Sequence, residues 1–230
     1  MSETATQEVV EKPKGESLFS KKNKKLITDP LGDQNPITIQ VLGICSALAI
    51  TVKFENAFIM SLSVLFVMIG GNIIVSALRN VIPSRIRIIV QLVIVASLVI
   101  LVDQILKAYV YDVSKALSVF VGLIITNCII MGRLEAFALG NKVGPSVLDA
   151  IGNAMGYAWI LLVVALAREI FGAGKLTLPG IGEVQLVPDV FFELGYMNNN
   201  LMILPPMALI TVGIIIWIQR SRNAELIEEN

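Results

Sequence analysis

The chain has no histidine and only two cysteines, Cys45 and Cys128, in 230 residues. Without histidine it loses the side chain that most often acts as a neutral-pH acid–base group or metal ligand. Charged residues make up 16% of the chain and aromatics 7%, the formal net charge is zero, and no basic stripe interleaves with aromatics. Nucleic acid is therefore not an expected partner, since such binding starts from a clustered positive face. A dinucleotide fingerprint is also missing. Gly172-Ala173-Gly174-Lys175 looks superficially like a phosphate loop, but no glycine leads it at the required distance and Leu176 stands where Ser or Thr belongs. No aqueous stretch is large enough for a nucleotide domain, so a reductant reaches this chain only through partners.

What is abundant is apolar surface. Hydrophobic residues are 55% of the chain and the mean hydropathy is +0.77, too apolar for a soluble domain of this length. An integral membrane protein is expected. Residues 1–36 differ, carrying Lys12, Lys14, Lys21, Lys22, Lys24 and Lys25 with Pro13, Pro30 and Pro36. They have no apolar h-region and no small-residue cleavage site, so they do not read as a signal peptide. Their composition cannot bury enough apolar surface to fold alone. A mobile cytoplasmic tail that sets topology is expected, with lipid binding by the lysines as the sharper alternative. Residues 37–222 form the expected membrane domain and 223–230 a cytoplasmic C-terminal tail.

Six apolar segments can be traced. Two are short, Ile37 to Val52 and Leu117 to Gly132, with sixteen residues each. As helix they cover about 24 Å against a hydrocarbon core of about 30 Å. Each holds one cysteine and each closes alike, LGICSALAITVKFENAF at 42–58 and GLIITNCIIMGRLEAFA at 122–138, so Lys53-Phe54-Glu55 echoes Arg133-Leu134-Glu135. The other four run over Ala57 to Leu78, Ile86 to Leu106, Val147 to Leu166 and Leu201 to Ile218. Gly71-Asn72 is matched by Gly152-Asn153 in the second half, and Gly152 with Gly156 has the spacing of a small-xxx-small face for another helix. Gly172 to Asn200 reads as the longest loop.

Three segments per half is an odd number, so two similar halves must face opposite ways in the membrane. The expected fold is all-α, six transmembrane segments in a 3+3 inverted repeat, with segments 1 and 4 as half-helices meeting near the midplane. With a cytoplasmic N-terminus, thirteen Lys and Arg fall inside and five outside. That asymmetry places both termini in the cytoplasm.

Taken singly, a cysteine in an apolar helix is a small hydrophobe. Their joint placement gives a sharper reading, because inverted short helices bring Cys45 and Cys128 toward each other, where two thiolates can share a metal. A disulfide is the other option, though a poor structural staple inside a bilayer. As metal ligands, two thiolates are half a set, since iron–sulfur clusters and closed zinc sites take four. The rest must come from another subunit, carboxylates being a poorer match to soft sulfur. Asp103 lies near the end of its segment, and an intramembrane acid is a candidate for a cation path. Its plainer reading is an i, i+4 pair with Lys107. Glu55 and Glu135 close the short helices and can simply satisfy loop backbone and neighbouring cations.

The segments LGICSALAITVKFENAF, IRIIVQLVIVASLVILVDQILKAY and SVFVGLIITNCIIMGRLEAFA resemble the D-type membrane subunits of sodium-translocating NADH:quinone oxidoreductases. The likeness covers residues 34–222. The equivalent subunit of Rnf-type ferredoxin:NAD electron-transport complexes is similar in plan. It tends to have Pro after the first cysteine, where this chain has Ser46, and Asp103-Gln104-Ile105-Leu106-Lys107 also looks more like the quinone-reductase family. The resemblance implies that Cys45 and Cys128, with two cysteines of the homologous E-type subunit, hold a [2Fe-2S] cluster in mid-membrane. It further implies that NAD and flavins sit on other subunits, that electrons pass on to ubiquinone while sodium is exported, and that the complex lies in the bacterial inner membrane. A small inverted-repeat secondary transporter, with a substrate cavity and no metal, is the reading from a different class.

Overall fold

The computed structural model describes residues 26–32, 34–83, 85–109, 122–178, 182–185 and 200–222. In chain order these form a 3-10 turn Asp29–Leu31, α1 Ile44–Ile50, α2 Phe54–Leu78, α3 Arg87–Tyr109 and α4 Cys128–Arg133. Helix α4 continues as a π-helical stretch, Leu134–Ala138. Then come α5 Val143–Ala173, strands β1 Lys175–Leu178 and β2 Gly182–Gln185, a 3-10 turn Asn200–Ile203 and α6 Pro205–Arg222.

Among the described residues, three helices are long and apolar enough to cross a membrane: α2, α3 and α5. They account for three of the four full-length segments expected from hydropathy. The last expected segment, from Leu201, starts later. Its first residues form the 3-10 turn, Pro205 and Pro206 open the helix, and Arg220 and Arg222 lie inside its 18 residues. Proline suits a first helical turn because its missing N–H has no partner there anyway.

Helices α2 and α5 form the centre. Ala57, Met60, Val64, Val67, Gly71 and Val75 of α2 recur every third or fourth residue and are buried, as are Ala150, Ala154, Tyr157, Leu161, Val164 and Ala165 of α5. The two stripes make the most extensive helix–helix contact among the described residues. Lipid tails are as apolar as these side chains, so the contact rests on close fit and on buried polar bonds. Asn72 donates to the Ser146 carbonyl at 2.8 Å and Ser76 to the Asn141 carbonyl at 2.7 Å. Helix α3 packs on α2 and buries Gln91, Val95, Val99 and Val102, while Ile89, Val93, Leu101 and Ile105 face outward. Large apolar residues on an outer face call for lipid or a partner subunit.

Residues 26–32 and 34–36 fall in the tail expected from composition, yet they run along the middle of α5. A Cβ on Gly152 would stand 2.5 Å from the Leu26 carbonyl oxygen, and one on Gly156 would strike that of Pro30. Asn35 secures this strap, donating to the Gly156 carbonyl at 3.1 Å and accepting from the Ile37 and Thr38 amides at 3.0 and 3.3 Å. The small-residue face thus receives the chain's own N-terminal segment where another transmembrane helix was expected. Two glycines one turn apart leave a trough that a backbone can enter and a helix surface with side chains enters less deeply.

The expected loop Gly172 to Asn200 begins as a hairpin. β1 and β2 pair antiparallel, Lys175 opposite Gln185 and Leu178 opposite Gly182. Two alternating apolar–polar tetrapeptides around Pro179-Gly180-Ile181 are a hairpin composition, and they depart from the all-α expectation. The remainder of that loop, residues 186–199, lies outside the described residues.

Candidate metal centre

Each cysteine follows a break in the backbone of an apolar segment. In the first segment residues 37–43 are not helical. Val41 and Gly43 take left-handed φ values of 58° and 80°, and only the seven residues Ile44–Ile50 form α1. Glycine meets both demands at 43, since it tolerates positive φ and a Cβ there would stand 3.0 Å from the Tyr157 ring. In the second segment, helical residues 122–125 give way at Thr126 and Asn127 is extended. The Asn127 side chain accepts from the Ile129 amide at 3.3 Å and opens α4, the usual service of an N-cap asparagine. Residues 117–121 of that segment lie outside the described residues. Both cysteines therefore occupy the first turn of a helix much shorter than the sixteen residues of its apolar run. Backbone N–H groups there have no intrahelical acceptor.

The two thiols are neighbours. Cys45 and Cys128 come within side-chain hydrogen-bonding reach of each other, and both are reduced and exposed at the protein surface. A cysteine that merely fills a core is among the most buried of residues, so joint exposure argues against that role. Among the described residues no group of three or more Cys, His, Asp or Glu converges. Two soft ligands with one open side fit half of a tetrahedral thiolate site.

Behind the thiols lies a buried polar group. Tyr157, fully buried on α5, donates to Ser46 Oγ at 2.7 Å, and Ser46 Oγ donates to the Gly43 carbonyl at 2.7 Å. The Asn127 side chain sits against the same tyrosine hydroxyl. Ser46 follows one cysteine in the chain and Asn127 precedes the other.

The family model for the Rnf-Nqr subunit, a membrane protein, matches residues 23–216, which include both cysteine segments and their support. The chain belongs to the Rnf-Nqr family. It is similar to the D subunit of the Na(+)-translocating NADH-quinone reductase of Photobacterium profundum, with 53% identity over 198 residues, 86% of this chain and 92% of that protein.

In this Rnf-Nqr chain, Asp103 does not converge with the two thiols. It pairs with Lys107 at 2.5 Å. It lies twelve residues along α3 from Gln91, about 18 Å of helix, and Gln91 donates to Glu135 in the π-helical stretch at 3.0 Å. The echo between Glu55 and Glu135 is not kept in space. Glu55 sits in the first turn of α2, whereas Glu135 lies inside the π-helical stretch and pairs with Arg87. Neither closes a short helix, because α1 ends at Ile50 and α4 runs on without interruption.

Three buried charged residues escaped the sequence reading of roles. Asp149 takes a two-pronged bond from Arg133, with Nε at 3.0 Å. Arg168 Nη1 donates to Thr51 Oγ1 at 2.6 Å and to the Leu48 carbonyl at 3.3 Å, and its Nη2 reaches the Ile203 carbonyl at 2.5 Å. Glu169 accepts from the Phe54 amide at 2.8 Å and the Thr177 amide at 2.9 Å. Arg168 and Glu169 together hold the turn between α1 and α2 and so fix the cysteine helix from its far end. Acids and guanidinium groups inside apolar runs were the available signal.

Proposed function

We propose that this chain is the D-type membrane subunit of a sodium-translocating NADH:quinone reductase, in which Cys45 and Cys128 supply two of the four thiolates of a [2Fe-2S] cluster. The homologous E-type subunit supplies the other two. The observation that carries this reading is the pair of exposed, adjacent thiols at two backbone breaks, with no third soft ligand among the described residues. When bound, such a cluster supplies one-electron transfer between flavins on either side of the membrane. The chain's own part is to hold the sulfurs. Its two breaks bring them to one surface, Ile129 and Ile130, which follow Cys128, are fully buried, and the first-turn amides of Cys45 and Ser46 offer donors to the Cys45 sulfur. NAD and the flavins belong to other subunits, and ubiquinone is the final acceptor. The 53% identity to an NADH-quinone reductase subunit favours this assignment over the Rnf-type complex.

Six segments in an inverted repeat, both termini cytoplasmic and residence in the bacterial inner membrane complete the reading. Reciprocal bonds support the repeat. Arg168 and Glu169 of α5 hold the turn entering α2, and Asn72 and Ser76 of α2 hold the turn entering α5.

The test is Cys45→Ala and Cys128→Ala in the purified complex. Each variant is expected to lose the iron–sulfur electron paramagnetic resonance signal and its iron, and to lose quinone reduction. NADH oxidation by a soluble acceptor at the flavin entry site should survive, because no nucleotide motif lies on this chain. Full iron content with normal quinone reduction in Cys128→Ala would end the ligand assignment.

A further inference from the structure

We infer that Tyr157 is a positioning residue for the thiol pair: one hydroxyl on α5, bonded to Ser46 and set against Asn127, holds the two cysteine-bearing segments in register. The inference rests on the ligand reading of Cys45 and Cys128, but it is tested independently of any metal.

The need for such a residue follows from the backbone. Cys45 and Cys128 both sit just past breaks, so no continuous helix fixes one relative to the other. Side chains must do it. Ser46 and Asn127 adjoin the two cysteines from opposite chain directions, and Tyr157 is the group that both meet. Its ring rests on Gly43, the left-handed residue that opens α1. Its neighbour Gly156 is bonded by Asn35 of the N-terminal strap, so α5 is held on two sides at this level. A buried tyrosine hydroxyl needs its partners, and away from water no solvent replaces them.

A tyrosine that only fills space is replaceable by phenylalanine, so the test is Tyr157→Phe in the intact, detergent-solubilised complex. After iron is stripped with a chelator under reductant, a copper–phenanthroline oxidant removes two electrons and two protons from the thiols, and Cys45–Cys128 disulfide is followed by mass spectrometry. The variant should form it about fivefold more slowly, the population factor of one net buried hydrogen bond. An unchanged or faster rate overturns the inference. Ser46→Ala removes the same bond from the other side and should slow the reaction in the same sense. It decides the matter if Tyr157→Phe fails to assemble. In the iron-loaded complex, Tyr157→Phe should keep its iron while its midpoint potential and resonance line positions move, and unmoved values with an unchanged disulfide rate are the packing outcome. A wild-type complex without iron would defeat the cluster assignment alone, since the disulfide rate would still report on Tyr157.

Discussion

Arg133 and Asp149 show what a single ion pair costs inside a membrane domain. Asp149 is 2% exposed at its side chain and Arg133 17%, so neither charge has water to fall back on. Replacing one partner strands the other, and breaking a buried pair in this way costs about 3–5 kcal/mol. Asp149→Leu should lower the thermal unfolding midpoint of the complex markedly, and the double variant Arg133→Met with Asp149→Leu should recover most of the loss. Equal destabilisation in the single and double variants would show that the pair is not what holds α4 to α5. Residues of this kind mark the limit of sequence reading. The cysteines stood out because there are only two and their surroundings echo each other. Asp149 carried the same intramembrane signal as Asp103 but sits in a run whose apolar flanks suggested a plain span, and Glu169 lies three residues past the end expected for that run. Tyr157 gave no signal at all, since an aromatic in an apolar run looks like core. Only the fold brings it to Ser46, 111 positions away.

Among elements, the trough on α5 is the feature most open to direct test. Hydropathy located α2, α3 and α5 well, because each is a long apolar run. The short elements were harder. A sixteen-residue run promised a sixteen-residue half-helix, but left-handed Val41 and Gly43 confine helix to the cysteine side of the first break, and extended Asn127 separates helical residues 122–125 from the helix that starts at Cys128. The strap was hidden by its polar composition, although its nearest approaches to Gly152 and Gly156 are made by backbone atoms of Leu26, Ile27 and Pro30. Gly156→Ala would drive a methyl group into the Pro30 carbonyl. Overpacking of this kind costs about 1–3 kcal/mol, and the cheapest escape is to lift the strap off the helix. Hydrogen exchange in that strap should therefore rise in Gly156→Ala. Gly213→Ala on α6 meets no atom within 4 Å and should leave exchange unchanged. Equal exchange in both variants would mean that the strap is held elsewhere.

At the scale of the whole molecule, the bonds between α2 and α5 decide their relative direction. The start of α2, at Phe54, meets the end of α5 at Glu169, and the end of α2, at Asn72 and Ser76, meets the start of α5 at Ser146 and Asn141. The two central helices are antiparallel, as segments 2 and 5 of an inverted repeat must be. Arg168 is buried and Arg133 is paired, so neither acts as a flanking charge. Without them the split of thirteen to five becomes twelve to four, and the orientation argument is unchanged. The hairpin that follows α5 must then share a side with Lys53, away from Lys142. Lys53→Cys and Lys175→Cys should gain labelling by a membrane-impermeant maleimide applied to the outer face of intact cells stripped of their outer membrane. Lys142→Cys should gain it only in inverted vesicles. Each is compared with the unsubstituted chain, because Cys45 and Cys128 set the background. Labelling of Lys53→Cys and Lys142→Cys from the same face would contradict the antiparallel pair and with it the repeat. Labelling of all three from the faces opposite to those expected would keep the repeat and turn the molecule over, placing both termini outside.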